Sequence, residues 1–144
     1  RNTELGAIIG INQLKRLNKN NTTRNRNFNF LLANLDKEKY IVDFNTKGMS
    51  NYALIIIFRK KYANLNFRKK FEQILKKSKV EFRRGTAGGG NQLRQPYLSR
   101  YFKKNFYKRF HNTEYVHNFG YYLGNFPELT LNRIKMLCNL VNKI

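Results

Sequence analysis

The chain has 144 residues and a formal net charge of +21, enough length for one domain with a real core and an unusually basic surface. An apolar share of 41%, with 15% aromatic residues, excludes a disordered profile. The longest apolar run, Ala53-Leu54-Ile55-Ile56-Ile57-Phe58, is too short to span a membrane. A single cysteine, Cys138, excludes an internal disulfide and a multi-cysteine metal site.

Basic chains attract phosphate polyanions through counterion release, so nucleic acid is one partner class to weigh. Here Lys, Asn, Ile, Phe and Tyr are over-used together, the signature of AT-rich coding, and the basic residues are scattered from Lys15 to Lys143. Compositional drift is therefore the favoured source of the charge. Residues 1–20 carry no basic start followed by an apolar block, so no signal peptide is expected and the cytoplasm is the expected compartment. The sequence opens at Arg1 directly in a helical pattern, which reads as a chain cut from a longer one.

Thr3 can cap a first helix carrying Glu4 in its first turn, with Leu5, Ile8, Ile9, Leu14 and Leu17 at helical spacing. Gly6 and Gly10 weaken that helix but permit close approach. The pattern predicts a second helix over residues 23–35, with Phe28, Leu31, Leu32 and Leu35 on one face. Strands are predicted over 40–44 and 52–58, separated by a turn at Lys47-Gly48. The second is continuously apolar and reads as an interior strand. Residues 65–77 form an amphipathic helix with Phe67, Phe71, Ile74 and Leu75 inward, and 80–83 a short strand entering a glycine loop. Residues 96–110 are aromatic and basic without firm periodicity. A last strand is expected over 119–123. It is followed by a helix capped by Thr130, stapled by Leu129 and Ile134, with Leu131, Ile134, Leu137, Cys138 and Val141 as its buried stripe. This order suggests an α+β fold, helices packed on a sheet of three or four strands in a single domain: a helical lead-in over 1–36 and an α/β sandwich over 37–144.

Acid–base machinery is sparse. His111 and His117 have no neighbouring cysteine or paired carboxylates in sequence. The stretch "GTAGGGNQLRQPYL" matches neither a Walker loop nor G-x-G-x-x-G opening a long helix. Its flanks are more informative. Arg83 and Arg84 precede it, and Asn91, Gln92, Arg94 and Gln95 follow, so guanidinium forks and amides stand beside bare backbone N–H groups. That set suits a ligand rich in phosphate and hydroxyl oxygens, a sugar nucleotide as well as a nucleic acid. Tyr97, Tyr101, Phe102, Phe106 and Tyr107, interleaved with basic residues, support the nucleic-acid alternative.

Four segments carry a resemblance. "RNTELGAIIGINQLKRLN" resembles R-x-T/S-E/D-L-x-A-A-I-G-L-x-Q-L-K-x-L-D of the DegT/DnrJ/StrS family, and "TTRNRNFNFLLANL" is similar to that family's next helix. "VEFRRGTAGGGNQLRQPYL" resembles its G-I-E-x-R-P followed by G-N-x-x-R-Q-P. "NTEYVHNFGYYLGNFPELTLNRIKMLCNLV" is similar to its C-terminal N-A-x-x-x-H-x-x-G-F-Y-I-G-N and last helix. The segments occur in the family's order over nearly the whole chain. Arg84 stands where the family usually has Pro, and the loop has an extra glycine.

The resemblance implies the C-terminal small domain of a fold type I PLP-dependent enzyme, an aminotransferase or 3-dehydratase of nucleotide-linked keto sugars that serves surface-polysaccharide biosynthesis. The PLP-binding domain, with its catalytic Lys or His, would lie upstream, so no catalytic residue is expected here and the chain alone would be inactive. PLP, a nucleotide-sugar substrate, glutamate and a homodimer are implied for the parent. Arg1, Asn2, Thr3 and Glu4 match the segment that approaches the neighbouring subunit's cofactor phosphate. Arg83, Gly88, Gly89, Gly90, Asn91 and Arg94 would line the sugar-nucleotide site. His117, Tyr121, Tyr122 and Asn125 match the C-terminal motif, with packing or substrate contact as their role. The glycines would let backbone pack against the nucleotide sugar or a neighbouring PLP domain.

Overall fold

The computed structural model describes residues 3–88, 90–98 and 100–144. Thr3 caps the first helix as its sequence requires, its hydroxyl oxygen accepting from the Gly6 amide at 3.4 Å. The helix does not stop after Leu17. One continuous helix, α1 (Glu4–Asn34), replaces the two predicted ones. The intervening Asn18-Lys19-Asn20-Asn21-Thr22 interrupts the apolar pattern but contains neither Gly nor Pro, so nothing breaks the backbone ladder.

The segment expected as a strand over 40–44 contributes only an isolated bridge between Tyr40 and Phe58. Asp36 initiates a turn that takes the amides of Lys39 and Tyr40, and Phe44 bonds back to Val42, so the backbone never runs straight. Tyr40 serves the core instead. Its ring packs against Phe58, Phe67 and Phe71, and its hydroxyl donates to the Val141 carbonyl at 2.6 Å. Burial holds that hydroxyl well above its ordinary pKa.

The sheet is antiparallel, in the order β1 (Ala53–Ile57), β3 (Gly120–Gly124), β2 (Arg83–Arg84). β1 is therefore an edge strand, contrary to the interior position its apolar run suggested. β3, with its two tyrosines, is the central strand. Register explains β1's composition: Leu54 and Ile56 lie opposite Leu123 and Tyr121 and point into the core. Ala53, Ile55 and Ile57 belong to the other face. β2 begins later than predicted, and Val80 and Phe82 pack against the core as irregular backbone.

Helix α2 (Leu65–Lys77) forms as expected, capped by Asn64, with Phe67, Phe71 and Leu75 buried. Helix α4 (Leu131–Val141) is capped by Thr130 and buries Ile134, Leu137, Cys138 and Val141. Phe28, Leu31 and Leu35, from α1 and its C-terminal end, close the same core from the other side. The stretch 92–110 winds through short 3-10 turns, Gln92–Arg94, Pro96–Leu98 and Phe106–Arg109. It leads into a helix that the sequence pattern does not predict, α3 (His111–Phe119). That helix runs directly into β3 and thereby stands over the glycine loop.

Candidate functional site: the glycine loop and helix α3

β2 delivers the chain into a tight loop. Gly85 adopts φ +60, in the left-handed region that favours glycine, and opens the 3-10 turn Gly85–Gly88. The loop closes on itself through the Gly90 amide, which donates to the Gly85 carbonyl at 2.8 Å. A Cβ at Gly90 would fall 2.5 Å from His117 Nδ1 and 2.7 Å from that carbonyl. At Gly85 it would lie 3.3 Å from His117 Cε1. In the described part of the loop, these glycines thus press against the imidazole and against their own backbone. Gly89 lies outside the described residues, as do Arg1 and Asn2.

His117 is 9% exposed on the inner side of α3, and its Nδ1 accepts from the Asn91 amide at 3.1 Å. Asn91, 2% exposed, is bonded through both polar atoms of its side chain. Its Nδ2 donates to the Tyr107 carbonyl at 3.2 Å and to Glu114 Oε2 at 3.3 Å, and its Oδ1 accepts from the Leu93 amide at 3.1 Å. Glu114, one turn before His117 on α3, accepts from Arg94 Nε at 2.8 Å and pairs with its terminal guanidinium nitrogen at 2.8 Å. Asn118 donates to the same carboxylate at 3.0 Å. Arg94 also lies over the Tyr107 ring, 4.1 Å from its centroid.

The electrostatics follow from this packing. Burial lowers the pKa of His117, aided by the cations Arg94 and Arg84 and opposed by Glu114. Burial would raise Glu114, but the hydrogen bond and charge of Arg94, with Asn118, outweigh it and leave the carboxyl below its ordinary value. Glu114 in turn raises Arg94. At neutral pH the cluster is an ion pair beside a neutral imidazole.

The structure brings only some of the sequence-derived candidates together. Gly90, Asn91, Arg94 and His117 come together, while Gly88 ends the 3-10 turn that Gly85 opens. Arg83 stands next to the loop on the outer face of the sheet, exposed, donating to the Tyr122 hydroxyl at 3.4 Å and 3.8 Å from Glu81. Tyr121 faces the core. It is 2% exposed, and its hydroxyl donates to Glu72 Oε1 at 2.7 Å, which also accepts from Arg84 at 2.9 Å. Asn125 is a buried clamp between α1 and the end of β3, donating to the carbonyls of Arg24 and Asn51 and accepting from Asn27. Thr3 and Glu4 sit at the exposed tip of α1, where Thr3 is engaged in capping.

Sequence reasoning missed Glu114, Asn27 and Glu72. Only Glu114 left a readable signal: one of eight acids in the whole chain, three residues before a histidine. Beside Arg94 a shallow cavity of about 340 Å³ is lined by Pro96, Phe102, Lys103, Lys104 and Phe106, the two phenylalanine rings being stacked at 5.1 Å. The loop surface therefore offers guanidinium and ammonium groups next to aromatic faces.

Among the described residues, four helices on a small three-stranded antiparallel sheet, in this order, have the fold of a domain found in PLP enzymes. The sequence matches the profile of the DegT/DnrJ/EryC1/StrS aminotransferase family over residues 1–142, and the chain belongs to that family. No curated protein matches it in sequence. Among solved structures it is similar to GDP-4-keto-6-deoxymannose-3-dehydratase with a trapped PLP-glutamate geminal diamine, with a TM-score of 0.80 and 25% identity. That match covers 96% of this chain and 35% of the other. The E. coli GDP-4-keto-6-deoxy-D-mannose-3-dehydratase with bound hydrated PLP aligns with a TM-score of 0.79, 25% identity and the same coverage, 96% and 35%. The chain thus spans 35% of the length of these solved relatives. Among the described residues no helix is long and apolar enough to cross a membrane.

Proposed function

We propose that this chain is the C-terminal domain of a PLP-dependent enzyme acting on a nucleotide-linked 4-keto-6-deoxy sugar. The observation that carries the reading is the family match over residues 1–142 together with the fold likeness to two 3-dehydratases of such a sugar. Because both are 3-dehydratases, removal of the C3 hydroxyl is the favoured reaction, ahead of amino transfer from glutamate. The product would be a deoxy sugar of the kind built into surface polysaccharide, made in the cytoplasm by a homodimer.

The described residues do not form a complete PLP cradle. Every lysine except Lys39 is exposed, and Lys39 donates to the Asn142 carbonyl and pairs with Asp36. The hydroxyl oxygen of Thr3 is engaged in capping α1. PLP would be held by the remainder of the protein, where it supplies an electron sink for bond breaking next to the sugar's keto carbon.

This chain's own contribution is to bind and orient substrate. Arg83 and Arg94, on either side of the Gly85–Gly90 backbone closure, suit the diphosphate of a nucleotide, and exposed Phe102, stacked on Phe106 by one face, offers the other to a base. Glu114 holds the Arg94 fork in a fixed direction, so the guanidinium need not be ordered at the moment of binding.

The test is to express the reading frame extended upstream of residue 1, and to incubate the purified protein with PLP, glutamate and GDP-4-keto-6-deoxymannose. Loss of the C3 hydroxyl supports the dehydratase reading, and a 4-amino sugar the transaminase reading. No conversion of this or related nucleotide sugars, with tight binding to random DNA retained at physiological salt, would favour a basic nucleic-acid-binding protein.

A further inference from the structure

The substrate reading uses Arg94 and leaves the imidazole beside the loop without a task. His117 is buried, and in the neutral ring its Nδ1 must be the bare nitrogen, because that atom faces the Asn91 N–H at 3.1 Å. Its proton is therefore on Nε2. The bond ties the loop to α3 directly after the Gly90–Gly85 closure. Asn91 then distributes the hold: its side chain ties Tyr107, Leu93 and Glu114, and Glu114 ties Arg94. The His117 nitrogen is thus the main-chain tether of the loop to α3, beside the side-chain tethers that Asn91 and Arg94 make to Glu114. A protonated imidazole has a donor at Nδ1, and two N–H groups would face each other at hydrogen-bond distance.

We propose that His117 is a positioning residue of the loop at residues 90–94, holding the Asn91 amide in its neutral form and, when protonated, releasing that amide and loosening the Asn91–Glu114–Arg94 chain tied to it. The charged groups facing the ring act in both directions. Arg94 from the loop and Arg84 from β2 resist a second positive charge, whereas Glu114 on α3 favours one. Release therefore also frees Glu114 to follow the imidazolium, which would loosen its grip on Arg94. The hold is a property of this chain alone; only its consequence for catalysis rests on the loop facing substrate.

The experiment uses the uniformly ¹⁵N-labelled chain between pH 8 and pH 5. The His117 ring nitrogens report its titration and tautomer. The Asn91 amide shift and its exchange, corrected for the intrinsic pH dependence, report the hold. Nε2 protonation at high pH is expected, and the Asn91 amide should move with the ring. Its protection should fall about tenfold across that titration, the scale of one buried hydrogen bond.

H117N should restore a pH-independent hold, because the asparagine Oδ1 lies near the position of Nδ1 and cannot be protonated in this range. H117L should lose protection at Asn91 at every pH. An Asn91 amide that ignores the His117 titration would overturn the proposal even if neither variant folds, and so would H117L with wild-type protection. Should the loop prove not to face substrate, these signals would persist while the kinetics of the extended enzyme stayed flat, so the two readings fail separately.

Discussion

At Gly90 and Gly10 the same substitution should have opposite signs. Gly90→Ala places a methyl 2.5 Å from His117 Nδ1 and 2.7 Å from the Gly85 carbonyl, both fixed by hydrogen bonds. An overpacking cost of about 1–3 kcal/mol is expected, read as a lower urea midpoint. Gly10 lies inside α1, where an added methyl would meet nothing within 4 Å, so Gly10→Ala should raise helicity by circular dichroism without lowering the midpoint. Titration adds a residue-scale expectation. The His117 pKa is lowered from 6.5 in the fold, so the unfolded chain binds that proton more readily. Its contribution to stability is complete above the unfolded value and is lost as pH falls through the lower folded one. Urea midpoints should therefore drop below pH 6.5, less so in H117N. A midpoint indifferent to pH in wild type would contradict this.

At the scale of elements, α1 is two different objects in one helix. Phe28 and Leu31 are fully in the core, whereas Leu5 and Leu14 are 72% and 67% exposed. Leu31→Ala should cost about 2–5 kcal/mol through lost burial and a cavity, while Leu14→Glu should leave the urea midpoint unchanged. Equal losses at both positions would refute this division. The inward stripes of α2 and α4 were legible from periodicity, and the start of α4 also from its cap at Thr130, whereas the Asn64 cap of α2 came only with the structure. α3 was not legible. Its start carries no side-chain cap, and its sequence is short of strong helix formers. Tertiary bonds hold it, Tyr115 to the Phe58 carbonyl at 2.6 Å and His117 to the loop. The strand expected at 40–44 failed for the converse reason, since a good β composition lost to the turn at Asp36. Likewise the residues flanking the glycine loop were readable as polar, and Glu114 as a rare acid near a histidine, but its role as their anchor follows only once α3 lies across the loop.

At the scale of the whole molecule, the charge of +21 bears on solubility and partners rather than fold. Scattered cations without a reading element should bind random DNA weakly, with affinity collapsing as salt rises toward physiological strength. Tight binding retained at that salt would favour the nucleic-acid alternative. The order of the four family-like segments, by contrast, is information that composition cannot supply, and it is what makes the fold readable from the amino-acid sequence. That this domain completes a PLP enzyme is tested most directly by the coding sequence immediately upstream of Arg1. An open frame encoding a PLP-binding domain is expected there, with His at the cofactor position for a 3-dehydratase or Lys for an aminotransferase. A stop codon, or a start codon directly before Arg1, would contradict it.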